Sequence, residues 1–131
     1  MIVDDNYLSA EGIEKNIDWE TLNAEIIHVC YNGTSAIEAM KKEPADLIIS
    51  DIEMPDLDGI SMSRQALEIN PMVKIILISA YDKFEYARRA LLLGALDYIE
   101  KPLDYAYLIQ KVKNAFALME KEQKNLQLLK Q

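Results

Sequence analysis

Short apolar runs alternate along the chain with stretches in which apolar residues recur every three or four positions. Met1–Val3, Glu25–Tyr31, Ala45–Ser50, Val73–Ser79 and Ala95–Ile99 are rich in Ile, Val, Leu or Tyr and predict strands. Leu47-Ile48-Ile49 and Val73-Lys74-Ile75-Ile76-Leu77-Ile78 are nearly unbroken, as parallel strands covered on both faces must be. Helical spacing fills the intervals. Leu8–Ile17 carries Leu8, Gly12, Ile13 and Ile17, and a longer connection through Asp18, Trp19 and Leu22 follows, with Trp19 expected to plug the bottom of the core. Thr34–Lys42 carries Ile37 and Met40, is introduced by the turn and cap residues Asn32-Gly33-Thr34-Ser35, and is stopped by Pro44. Ile60–Ile69 carries Met62, Ala66, Leu67 and Ile69 and closes at Asn70-Pro71. Lys83–Leu93 carries Phe84, Ala87, Ala90 and Leu91 and ends at Gly94, which suits a left-handed cap. Asp104–Gln131 is one long helical pattern, with Leu108, Ile109, Val112 and Phe116 predicted to pack on the sheet.

Strict alternation of strand and helix implies right-handed crossovers and a parallel sheet with helices on both faces, an α/β fold of (βα)5 type. In open sheets of this kind ligands bind beyond the carboxyl ends of the strands. The residues there are Asp4 and Asp5 after the first strand, Asp51 and then Glu53 after the third, Ser79 and Ala80 after the fourth, and Lys101-Pro102 after the fifth. An Asp after a strand is by itself usually a turn or cap residue. Jointly these residues mean more. Clustered carboxylates raise one another's pKa unless a cation sits among them, and a hard divalent ion such as Mg2+ suits an all-oxygen donor set. A carboxylate beside such an ion can attack phosphorus, and the transferred group then needs an ammonium and a hydroxyl as partners. Lys101 and Ser79 supply them.

Charge and length narrow the picture. The 131 residues carry 14 Lys and Arg against 22 Asp and Glu, a formal net charge of −8, which argues against nucleic-acid contact by this chain. One domain's worth of sequence, half of it apolar, excludes a disordered chain. Cys30, the single cysteine, cannot form an internal disulfide and reads as a small buried hydrophobe, and His28 reads as structural. Without a signal peptide or an apolar run of membrane-spanning length, the chain is expected to be cytoplasmic and to make no membrane contact.

The same residues resemble the receiver domains of two-component response regulators over positions 1 to about 118. The resemblance is carried by Ile2-Val3-Asp4-Asp5, by Ser50-Asp51-Ile52-Glu53-Met54-Pro55-Asp56-Leu57-Asp58-Gly59, by Ile78-Ser79-Ala80-Tyr81, by Gly94-Ala95-Leu96-Asp97-Tyr98 and by Lys101-Pro102. It implies a flavodoxin-like, CheY-like five-stranded parallel sheet of order 2-1-3-4-5. It further implies that Asp51 accepts a phosphoryl group from a sensor histidine kinase, and that Asp5, Asp51 and the Glu53 main-chain carbonyl hold Mg2+, with Asp4 reaching it through water. Ser79 and Lys101 would bind the phosphoryl group, with a cis peptide between Lys101 and Pro102. Ser79 and Tyr98 would form a switch pair that reshapes the surface around the fourth helix and fifth strand. Glu53, Ala80 and Tyr81 occupy positions that tune access of the hydrolytic water. Asp18-Trp19 and the stretch Ser79 to Ala87 resemble the subgroup of receivers that precede AraC-type helix-turn-helix output domains. The implied partners are a histidine kinase, such an output domain and a phosphorylation-dependent second copy.

The expected division is a receiver over 1–118 and a helical extension over 119–131 leading to an output domain. The first strand reads as though the chain begins inside it, because only three residues precede Asp4. An aspartate-nucleophile phosphohydrolase, the rival reading, would have a second Asp where this chain has Glu53, and a cap insertion for which there is no room. A flavodoxin-like cofactor binder would set its phosphate against Asp4-Asp5-Asn6, which repels it.

Overall fold

The computed structural model describes residues 1–80, 84–95 and 97–130. In chain order the elements are β1 (Ile2–Val3), α1 (Tyr7–Asn16), β2 (Val29–Cys30), α2 (Gly33–Lys42), β3 (Leu47–Asp51), α3 (Gly59–Ile69), β4 (Lys74–Ser79), α4 (Phe84–Leu93), β5 (Asp97–Glu100) and α5 (Tyr105–Leu129). All the strands pair in parallel, in the order β2-β1-β3-β4-β5. The (βα)5 expectation and the implied strand order therefore hold.

The two-residue period of the central strands sorts their side chains onto two faces. Ile48, Ile75 and Leu77 join Ile37 and Met40 of α2, Ile60 and Met62 of α3, and Ala90 of α4 in one core. Leu47, Ile49, Ile76, Ile78 and Ile99 join Ile13 of α1 and Leu108 and Val112 of α5 in the other, which Trp19 closes while its indole N–H donates to the Ile13 carbonyl. Each fully buried Ile or Leu contributes about 1.5–3 kcal/mol, so the sheet is held from both sides. Four helices begin on Asn or Asp caps, namely Asn6, Asn32, Asp58 and Asp104, whose side chains accept first-turn N–H groups. Gly94 follows α4 with φ +97°, the left-handed conformation its lack of a Cβ permits.

Three expectations shift. Of the predicted second strand only Val29–Cys30 pairs in register with β1, as Ile2–Val29 and Val3–Cys30, with the Ile2 N–H also donating to the His28 carbonyl at 3.0 Å. Ile26 and Ile27 nonetheless still pack against opposite cores. Leu8 is 81% exposed, because α1 buries the stripe through Ala10 and Ile13, and a residue two positions before Ala10 points away from it. Leu91 is likewise exposed, 68%, beside the buried Ala90. Lys83, Gln131 and the side chain of Phe84 lie outside the described residues. Helix α5 runs without interruption through residue 118, and beyond it Glu122 accepts a 2.8 Å ion-paired hydrogen bond from Lys74 at the start of β4.

Candidate functional site

The carboxyl ends of β1, β3 and β5 deliver four charged groups to one place. Asp4 and Asp5 follow β1, Asp51 ends β3 and Lys101 follows β5. One carboxylate oxygen from each of Asp4, Asp5 and Asp51 lies within 4.8 Å of the others. The Lys101 ammonium is 3.4 Å from Asp51 Oδ2 and 3.7 Å from Asp4 Oδ2. Strands β3 and β5 are separated by β4, a span of about 10 Å at ordinary strand spacing, so only a long side chain can close the gap. Backbone pairing helps, since the Lys101 N–H donates to the Ser79 carbonyl at 2.8 Å, and the Lys101–Pro102 peptide is cis.

Asp4 and Asp51 are buried, whereas Asp5 is exposed. Burial first, then the neighbouring acidic groups, push the Asp51 carboxyl above the usual carboxylate range, and Lys101 offsets only part of this. Asp4 is raised chiefly by burial, against the 2.9 Å hydrogen bond it accepts from the Asn6 N–H and the nearby Lys101 charge. Three convergent carboxylates with one ammonium form a hard-oxygen set that fits a divalent cation. The consequence for stability has a definite sign. A carboxyl whose folded pKa lies above its unfolded value binds more protons folded than unfolded, so these two groups lose stability for the protein as pH rises through their folded pKa values. A bound cation competes with those protons. At pH 7, Mg2+ at ten times its dissociation constant is expected to stabilise the fold by about 1.4 kcal/mol. Melting curves with and without Mg2+ should show that gain shrinking as pH is lowered into the carboxylate range, and no Mg2+ response at pH 7 would refute the cation site.

The segment between β3 and α3 is closely tied down. The Gly59 N–H donates to the Ile52 carbonyl at 2.8 Å, Asp58 caps α3 by accepting from the Ser61 N–H at 2.8 Å, and Asp56 accepts from the Gly33 and Thr34 N–H groups of α2. Glu53 in this segment is half-buried. A cleft of about 410 Å3 opens beside it, lined by Asp5, Glu53, Met54, Asp58, Tyr86 and Arg89. Sequence reading singled out neither Asp56 nor Arg89. Asp56 acts on backbone groups that carry no side-chain signature, and Arg89 belongs to a helix whose turn toward the site no pattern reveals.

Ser79 is fully buried at the end of β4, and Ala80 beyond it is exposed. Tyr98 is half-buried on β5 and packs against the core formed with α2, α3 and α4. Tyr81 lies outside the described residues. The His28 Nε2–H donates to the Glu43 carbonyl at 2.9 Å, away from the strand ends, and burial raises the pKa of the Cys30 thiol. Among the described residues no helix is long and apolar enough to cross a membrane.

Residues 1–113 match the family described as the response regulator receiver domain. The chain is 28% identical over 122 residues to the uncharacterized transcriptional regulatory protein YesN of Bacillus subtilis, covering 93% of this chain and 33% of that protein. It thus spans about a third of that relative's length. The receiver domain of AraT, a response regulator from Geobacillus stearothermophilus, superposes with a TM-score of 0.87 at 34% identity, covering 93% of this chain and 95% of that one. A two-component transcriptional regulator AraC from Clostridium phytofermentans superposes at 0.83 with 31% identity, over 95% of each chain.

Proposed function

Because the chain belongs to the response regulator receiver domain family, we propose that Asp51 is its phosphoacceptor and that the surrounding residues assist transfer from a sensor histidine kinase. The observation that carries this reading is the Asp51 carboxylate at the end of β3, 3.4 Å from the Lys101 ammonium and among the Asp4 and Asp5 carboxylates. One Asp51 oxygen attacks the phosphorus of the donor. The phosphorus–nitrogen bond of the donor's phosphohistidine breaks as the new phosphorus–oxygen bond forms, and the imidazole leaves with the electron pair. Lys101 exchanges its contact with the Asp51 carboxylate for one with a phosphoryl oxygen, and the Ser79 hydroxyl donates to another. Asp5, Asp51 and the Glu53 main-chain carbonyl would hold Mg2+, with Asp4 acting on it through water, and the ion would supply positive charge to offset that of the phosphoryl oxygens.

The role is regulatory rather than that of a turnover enzyme. Movement of the Ser79 hydroxyl toward the phosphoryl group frees space for the Tyr98 ring, and the surface of α4 and β5 shifts between two packings. Glu53, Ala80 and Tyr81 set the approach of the water that later hydrolyses the acyl phosphate. Residues 1–118 form the receiver, and 119–131 form a helical extension to an output domain. The solved relatives at 34% and 31% identity support an AraC-type helix-turn-helix output and thus control of transcription. The setting is the cytoplasm, and a second copy of the receiver is a candidate partner on phosphorylation.

The test is incubation with a small acyl phosphate and Mg2+, followed by intact mass and peptide mapping. One hydroxylamine-sensitive phosphoryl adduct on the peptide containing Asp51 is expected. No adduct, or an adduct elsewhere, refutes the assignment.

A further inference from the structure

We infer that Asp56 is a positioning residue for the cation site, a strut that braces the segment between β3 and α3 against the first turn of α2 and thereby sets Mg2+ affinity. The inference rests on the reading of Asp51 and Glu53 given above. The first turn of a helix leaves N–H groups without intrahelical acceptors. In α2 the cap residue Asn32 takes the Ser35 N–H at 2.7 Å. The remaining two are taken from across the fold: Asp56 Oδ1 accepts from Gly33 N–H at 3.3 Å and Oδ2 from Thr34 N–H at 3.1 Å. Each carboxylate oxygen thus has its own backbone donor, and the Thr34 hydroxyl first, then the backbone N–H groups, hold the Asp56 carboxyl far below the usual carboxylate range. Helices α3 and α5 begin on their own capping Asp, and among the described residues no other side chain caps their first turns.

The contact is built from both sides. A Cβ at Gly33 would press on the Leu57 carbonyl oxygen and lie 2.8 Å from the Leu57 Cβ, so the absence of a side chain there lets the two backbones meet. At its base the same segment is closed by the Gly59 N–H on the Ile52 carbonyl. Glu53 sits between that closure and the strut, three residues before Asp56. Mg2+ tolerates little departure from octahedral geometry, so small displacements of a carbonyl ligand weaken it. Groups that orient metal ligands without touching the metal commonly alter affinity by about 10- to 100-fold when removed.

Calorimetric titration of MgCl2 into the chain and into Asp56→Ala and Asp56→Asn variants, with amide resonances of Gly33 and Thr34 followed by NMR, tests the strut. In Asp56→Ala the Mg2+ dissociation constant is expected to rise about tenfold. Asp56→Asn, which keeps one acceptor oxygen, should fall between. The Thr34 amide should respond to Mg2+ in the unaltered chain and not in Asp56→Ala, and acyl-phosphate labelling should show the change in half-saturating Mg2+ rather than in the saturating rate. Unchanged Mg2+ affinity in Asp56→Ala, whatever its melting temperature, would reduce Asp56 to a cap on α2 and overturn the inference. Failure of the unaltered chain to bind Mg2+ would instead overturn the reading of the site, and the inference with it.

Discussion

Asp51→Asn is expected to lose phosphoryl uptake from an acyl phosphate, its labelling rate falling by about four orders of magnitude or more, as when a nucleophile is removed from an assembled site. The amide retains the shape of the carboxylate but lacks its negative charge, and its neutral oxygen is too weak a nucleophile to attack phosphorus. Unfolding cannot account for the loss, because the substitution removes one of two buried carboxylates that repel each other. In the absence of Mg2+ the variant should therefore melt above the unaltered chain, and Mg2+ should stabilise it less. Mass spectrometry of acyl-phosphate reactions and paired melting curves check the two halves. A hydroxylamine-sensitive adduct persisting in the variant would move the acceptor elsewhere.

Gly59→Ala should carry the largest stability loss of a single methyl group. A Cβ there would press on the Asp51 carbonyl oxygen and lie 2.9 Å from the Ile52 Cα and 3.0 Å from the Asp51 carbonyl carbon. These are backbone atoms at the end of a fully buried strand and cannot rotate aside as a side-chain tip would. Overpacking of this kind costs about 3 kcal/mol, a fall of roughly 10 °C in melting temperature for a chain of this length. Relief comes by moving either the start of α3 or the end of β3, and the latter carries Asp51. Urea denaturation gives the first number, and acyl-phosphate labelling below the transition reports the displacement. A loss under about 0.5 kcal/mol, the scale of a neutral surface change, would contradict the packing described.

Much of the site could be read from the chain because a parallel sheet converts a three-dimensional question into a local one. Every strand ends at the same edge, so the residue after each apolar run is brought to that edge whatever the spacing between runs. Asp4, Asp51, Ser79 and Lys101 stand at that edge for this reason, and the distances among the charged groups follow from it. Leu8 lies off the buried stripe because periodicity fixes a stripe only once the helix is phased, and the small Ala10 marks the buried face more faithfully than a larger residue. The second strand is shorter than its apolar run because β-branched residues mark an extended, half-buried segment, whereas a ladder also needs a partner opposite. Asp56 escaped because its partners are backbone N–H groups 22 and 23 positions away.

The order β2-β1-β3-β4-β5 places the first strand near the middle of the sheet and the last at its edge. Asp4 and Lys101 consequently meet only when chain from near both ends of the sheet-forming region has arrived, with β3 and β4 already between them. A nascent or proteolysed fragment without β5 lacks the Lys101 ammonium that stands against the carboxylates of β1 and β3. The full set of charges is thus a property of the completed sheet, and a half-made one lacks the ammonium that stands against Asp4 and Asp51.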